Sequence, residues 1–161
     1  MFGISSFCLH HHPLSFALDT LSSHTNLVEI MDDGPHFLES TELLESYSLH
    51  YAFHAPARSV NIASLHEAIR KASVEVVGQC FRLASEMGST VVIHPGYFAW
   101  EEERERALRQ YMKSLEDLKH LAVECGVTFY IENMANWNYF FLRTPEELDI
   151  IDGIGLALDV G

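Results

Sequence analysis

Four short apolar runs of this chain each end in a residue able to bind a metal: His54-Ala55-Pro56, His94-Pro95-Gly96, Glu132-Asn133 and Asp159-Val160-Gly161. Two imidazoles and two carboxylates form a mixed nitrogen and oxygen donor set, which suits Zn2+, Mn2+, Co2+ or Fe2+ better than Ca2+. A single His at a strand end can simply hydrogen-bond a neighbouring carbonyl, so the argument rests on the four together. Glu132 is the most telling of them. The run Tyr-Ile-Glu-Asn puts a carboxylate in an apolar strand, where an unpaired charge is costly and a cation relieves the cost. Glu29, in Leu-Val-Glu-Ile-Met, raises the same question, and either a place in the site or a pairing with Arg58 answers it.

Around these residues lie side chains suited to holding a small molecule. Tyr97, Trp100 and Trp137 fall in the segments just after two of the runs, where aromatics form the apolar walls of ligand pockets. Phe98 and Phe140 are read as core packing. The candidate substrate contacts are therefore Glu29, Arg58, Asn61, Tyr97, Trp100, Asn133 and Trp137. His10-His11-His12 is read as solvated loop, because adjacent residues cannot all face one ion. The charged run from Glu101 to Arg106 has opposite charges at three- and four-residue spacing and reads as an exposed helix start.

Short apolar runs alternate with longer helical patterns, the mark of βα repetition and a parallel sheet. Six strands are expected, at Phe2 to Phe7, Leu27 to Met31, Tyr51 to His54, Thr90 to His94, Thr128 to Asn133 and Leu156 to Val160. Leu65, Ile69, Ala72, Val76, Cys80, Leu83 and Met87 recur at helical spacing and stop at Gly88. Ala107, Tyr111, Leu115, Leu118 and Ala122 do the same before Gly126, and both glycines suit helix C-caps. Pro13 to Ser23 and Ser40 to Tyr47 are shorter helical candidates, and Thr144-Pro145-Glu146-Glu147 reads as a helix start. Units of roughly 30 residues would need about 250 to close an eight-fold barrel. An open doubly wound sheet of six strands is the alternative. In both folds the loops at the carboxyl ends of the strands converge on one face, which is where the four metal-binding residues fall.

The chain has 161 residues, 48% of them hydrophobic and 20% charged, the composition of one ordinary globular domain. Ten Lys and Arg against 23 Asp and Glu give a formal charge of −13, which disfavours binding to a phosphate backbone. Cys8, Cys80 and Cys125 are odd in number and form no CxxC pair, so neither a disulfide framework nor a thiolate zinc knot is expected. The N-terminus lacks the basic region and long apolar stretch of a signal peptide, and no run is long enough to cross a membrane. A cytoplasmic location is expected.

The series His54…Asn61-Ile62-Ala63-Ser64, Val92-Ile93-His94-Pro95-Gly96, Ile131-Glu132-Asn133 and Leu158-Asp159-Val160-Gly161 resembles the xylose isomerase-like TIM-barrel superfamily. That superfamily contains sugar-phosphate isomerases and epimerases together with the endonuclease IV type of apurinic-site nuclease. The resemblance implies a (β/α)8 barrel of which residues 1–161 form the first six βα units as a single domain. It implies that Glu132 and Asp159 bind the catalytic metal, and that His54 and His94 match histidines used by the nuclease members. The His of the superfamily's Asp-x-x-His pattern, which begins at Asp159, and its ligands on strands seven and eight fall beyond Gly161. The expected cofactor is a divalent ion, Mn2+, Zn2+, Co2+ or Mg2+.

Three functions follow from the resemblance. In the first, a metal-dependent sugar or sugar-phosphate isomerase or epimerase, Glu132 moves a proton through an enediolate. The second is an apurinic-site phosphodiesterase with a zinc cluster. The third is a non-catalytic truncated barrel that forms a homodimer through its sheet edges. The sugar enzyme is preferred, with a small sugar or sugar phosphate as partner and neither nucleic acid nor membrane. The net charge repels DNA, and Ala55-Pro56-Ala57-Arg58 lacks the bulky residues with which family nucleases wedge a duplex.

Overall fold

The computed structural model describes residues 2–134 and 137–160; Gly161, named above at the end of the sixth run, lies outside them. Six strands, β1 (Ile4–Ser5), β2 (Leu27–Met31), β3 (His50–His54), β4 (Thr90–Ile93), β5 (Phe129–Glu132) and β6 (Gly155–Ala157), form one sheet. All neighbours are parallel and the spatial order is the chain order, β1 to β6. A doubly wound sheet reverses its order at a switch point, and this sheet has none. The architecture is that of consecutive units of a TIM barrel.

Strands β2 to β5 alternate between two faces. Val28 and Ile30, Tyr51 and Phe53, Val91 and Ile93, and Phe129 and Ile131 are buried under the helices. The residues between them face the other, concave side, as the two-residue period of a strand requires. On that side the register aligns Met31, His54, Val92, Tyr130 and Gly155 in one row. Gly155 is required there, because a Cβ on it would lie 2.3 Å from Cδ1 of Tyr130, whose ring occupies that space.

The helices are α1 (Leu14–Leu21), α2 (Glu42–Glu45), α3 (Glu67–Glu86) and α4 (Arg104–Cys125). Gly88 and Gly126 follow the two long ones with φ of +59° and +68°, the left-handed conformation that ends a helix at low cost with glycine. The α4 stripe is buried as its spacing predicts, at Ala107, Tyr111, Leu115, Leu118 and Ala122. The α3 face is turned only in part from the expected one, since Cys80 is buried and Leu83 and Met87 pack against the core. Val74, Val77, Phe81 and Ala84 are buried with Arg70 and Ser73, whereas Ile69 is 48% exposed. Arg70 is the reason: its guanidinium holds both Glu67 oxygens at 3.0 and 2.9 Å, and Ser114 and Asp117 of α4 at 3.1 and 2.7 Å. A polar network draws α3 onto α4 along a face that an apolar stripe does not mark.

Three other elements differ from expectation. The first strand is two residues long, because Ser5 Oγ accepts from Phe7 N and starts a 3-10 turn over Ser6–Leu9. Ser6 Oγ then accepts from Met31 N at 3.0 Å, replacing a ladder bond with a side chain. A 3-10 helix, Pro145–Ile151, stands where an α-helix is expected before β6. The sixth strand ends at Ala157 rather than Val160. No helix among the described residues is long and apolar enough to cross a membrane.

Candidate metal centre

His54 is the last residue of β3, His94 follows β4 directly, and Glu132 is the last residue of β5. Three adjacent strands thus deliver three side chains to one end of the concave face. One ligand atom from each lies within 4.8 Å of the others. Glu132 Oε2 is 3.2 Å from His54 Nε2 and 3.0 Å from His94 Nε2. The two imidazoles meet edge to face, with centroids 4.8 Å apart.

The second nitrogen of His54 is also committed. Nδ1 lies 2.9 Å from the Ala55 carbonyl, which can only accept, so Nδ1 carries the proton and Nε2 is the atom turned toward the site. Burial opposes the charged imidazole, yet the hydrogen bonds to Glu132 and Ala55, with the charges of Glu132 and Glu29, raise the His54 pKa above its ordinary value. Burial also opposes the Glu132 carboxylate, and the two imidazoles more than offset it, holding Glu132 at about 2. The carboxylate is therefore an anion at neutral pH. Three lone-pair donors that converge on shared protons converge equally on a divalent cation once those protons leave. The set of two nitrogens and one carboxylate fits a borderline ion with open positions for other ligands.

The loops that carry these residues are locked to one another. Gly96 packs so closely on Ala63 that a Cβ would lie 2.2 Å from Ala63 Cβ and 2.7 Å from its backbone nitrogen. The Asn61 amide accepts from Tyr97 N at 3.1 Å and donates to Tyr97 O at 3.0 Å. Phe98 N and Phe141 N donate to Tyr139 O and Gly96 O, which ties the segment after β5 to the segment after β4.

Above the triad opens a cleft of about 590 Å3, whose lining includes Arg58, His94, Glu132, Asn133, Trp137 and Asp159. Phe140 forms a wall, edge to face with His94 at 5.9 Å; it is half-buried on this rim, whereas Phe98 is in the core. Arg58 is exposed and forms no ion pair among the described residues, Glu29 included. Its backbone N–H and that of Ala57 donate instead to Asp33 Oδ2, at 2.9 and 3.2 Å.

Other expected contacts are placed elsewhere. Trp100 is 68% exposed and stands away from the cleft, and Tyr97 packs on Phe140 behind its wall. Asn61 has its amide on the Tyr97 backbone, and Glu29 lies half-buried on β2, its charge felt at His54. Asp159 lines the cleft without belonging to the convergent triad. The three residues His10, His11 and His12 do not gather on a common point: His10 Nδ1 bonds Phe7 O, and the His12 carbonyl accepts from buried His36. Phe7, Met31 and Met134 also line the cleft. Their sequence signal was an apolar residue beside a strand end, which core packing produces equally often.

Residues 21–161 match the family model described as xylose isomerase-like TIM barrel, and the chain belongs to that family. An uncharacterized protein of Methanocaldococcus jannaschii is 36% identical over 155 residues, covering 92% of this chain and 61% of the relative. A probable endonuclease 4 of Mycobacterium leprae is 28% identical over 133 residues, covering 78% of this chain and 50% of the relative. Among solved structures, a D-tagatose 3-epimerase-like protein superimposes with a TM-score of 0.88 at 28% identity, over 99% of this chain and 64% of that one. Endonuclease IV from Thermus thermophilus shares the fold, with a TM-score of 0.64 at 18% identity over 98% of this chain and 60% of that one. The chain thus spans about three fifths of the length of the first of these relatives.

Proposed function

We propose that the protein is a divalent-metal-dependent sugar or sugar-phosphate isomerase or epimerase, with His54, His94, Glu132 and Asp159 as the protein's metal ligands. The observation that carries this reading is the Glu132 carboxylate, kept anionic between two imidazoles at the base of a cleft with an aromatic wall. A divalent ion bound there would polarise neighbouring oxygens of a sugar and acidify the carbon-bound hydrogen beside them. Glu132 then has a charge with which to accept that proton, and an enediolate is the species left behind. Trp137 and Phe140 offer flat apolar surface to the sugar's C–H face and exclude water from the exchanged proton. Arg58 offers a permanent cation to a phosphate substituent. The likeness to a D-tagatose 3-epimerase-like structure supports this reading.

The test is proton exchange. With Mn2+ or Zn2+ added, a panel of ketoses and ketose phosphates in heavy water should lose a carbon-bound proton signal in the NMR spectrum. Absence of stoichiometric metal binding by the chain would overturn the proposal. The second reading, an apurinic-site nuclease, draws on the presence of both His54 and His94 in the triad. Nicking of a duplex containing an abasic site, lost steeply with added salt, would favour it instead.

A further inference from the structure

Asn133 stands among the expected substrate contacts, but its side chain is occupied by the segment that follows β6. Asn133 Oδ1 accepts from the backbone N–H of Asp159 at 2.7 Å, and Asn133 Nδ2 donates to the Asp159 carbonyl at 2.9 Å. Its own backbone N–H donates to the Ala157 carbonyl at 3.3 Å. In a parallel ladder a residue donates to one partner and its carbonyl accepts from the residue two positions later. Here the first bond is regular, and the side-chain oxygen takes the place of the backbone carbonyl in the second. The main chain of β5 is thereby free to turn away at Met134, whose N–H bonds Leu142 O, while β6 stays in register through Asp159.

We infer that Asn133 is a positioning residue that sets Asp159 at the metal centre. Regular pairing of β6 ends at Ala157, two residues before Asp159. The amide carries the register across that gap with one donor and one acceptor, which fixes both the height and the rotation of the Asp159 backbone. An amide does this better than Asp, Ser or Thr, since only Asn and Gln present a donor and an acceptor side by side in one plane, and Gln is a methylene too long. The inference rests on the proposal that Asp159 is a ligand and adds what places it there.

The experiment is a double-mutant cycle on affinity for Zn2+ alone, measured by competition with a chromophoric chelator. Asn133→Ala should weaken Zn2+ binding by about tenfold to a hundredfold, the range for residues that orient a ligand. Asp159→Asn should weaken it at least as much, and the double variant no further than Asp159→Asn. Multiplicative losses, or an unchanged affinity in Asn133→Ala, would overturn the inference while leaving the metal site standing. A wild-type chain that binds no Zn2+ would overturn the metal reading itself, and the inference with it. Should Asn133→Ala fail to fold, hydrogen exchange of the wild-type chain decides: the Asp159 amide should be protected to a similar degree as the β6 ladder amides. Exchange of that amide at the rate of open loop would refute the clamp.

Discussion

His54 Nε2 lies 3.2 Å from Glu132 Oε2, although 78 residues separate the two in the chain. The bond spans β4, so it passes across the end of the strand that carries His94, and the three residues form one electrostatic unit. Glu132→Gln removes the charge and keeps the shape. Metal affinity is expected to fall by about a hundredfold or more, because a ligand is lost outright. Proton exchange into sugar should disappear with it. Inductively coupled plasma mass spectrometry and heavy-water NMR check the two losses on one preparation, and full metal occupancy in the variant would take Glu132 out of the ligand set.

Gly96→Ala tests how far the loop contacts support the site. The added methyl meets both the side chain and the backbone of Ala63, so neither can yield by a rotamer change alone. Overpacking of this kind costs about 2 kcal/mol. Calorimetry should show a melting temperature lower by about 4–8 °C. Metal affinity should fall as well, since His94 lies only two residues before the displaced glycine.

Acid stability follows from Glu67 and Arg70. The hydrogen bonds and charge of Arg70 hold the Glu67 carboxyl at about 2, below its ordinary 4.5. A carboxyl with a depressed pKa in the folded state stabilises above its unfolded pKa and loses that contribution as pH falls through the folded value. The contribution is complete above about pH 5 and is lost between pH 4.5 and about 2. Denaturant melts across that window should show a shallower acid slope in Arg70→Met than in the wild-type chain.

Arg58→Gln separates phosphorylated from neutral sugars. A guanidinium that binds a phosphate makes charge-assisted hydrogen bonds, and their loss is expected to weaken a ketose phosphate by about tenfold. A neutral ketose should bind within about twofold of its wild-type affinity. Titration calorimetry with the two ligands checks this, and equal weakening of both would remove the phosphate from the proposal.

The parallel sheet and the ends of β3, β4 and β5 were legible because each depends on local pattern, whereas the sixth strand stops two residues short of Asp159. His54, His94 and Glu132 interrupt apolar runs, and an interruption at the end of a buried strand is visible without coordinates. The α4 stripe was legible for the same reason. The α3 face was legible only in part, because Arg70 and Ser73 are polar residues buried by partners on another helix. The roles of Asn61 and Asn133 were hidden. A side-chain amide that reads a neighbouring backbone depends on where that backbone passes, and nothing in residue type or spacing encodes it. Trp100 shows the converse: its position after a strand end suggested a wall, yet the loop directs it to solvent.

The ring of Tyr130 lying over Gly155 makes the two positions a single exchange of volume between neighbouring strands. β5 provides the bulk and β6 the vacancy, so a change of volume at either position alone leaves a hole or a clash. A smaller residue at 130 opens a hole beneath Glu132, and any side chain at 155 collides with the ring. Only a paired change that returns the volume to the other strand keeps β5 and β6 packed at this point.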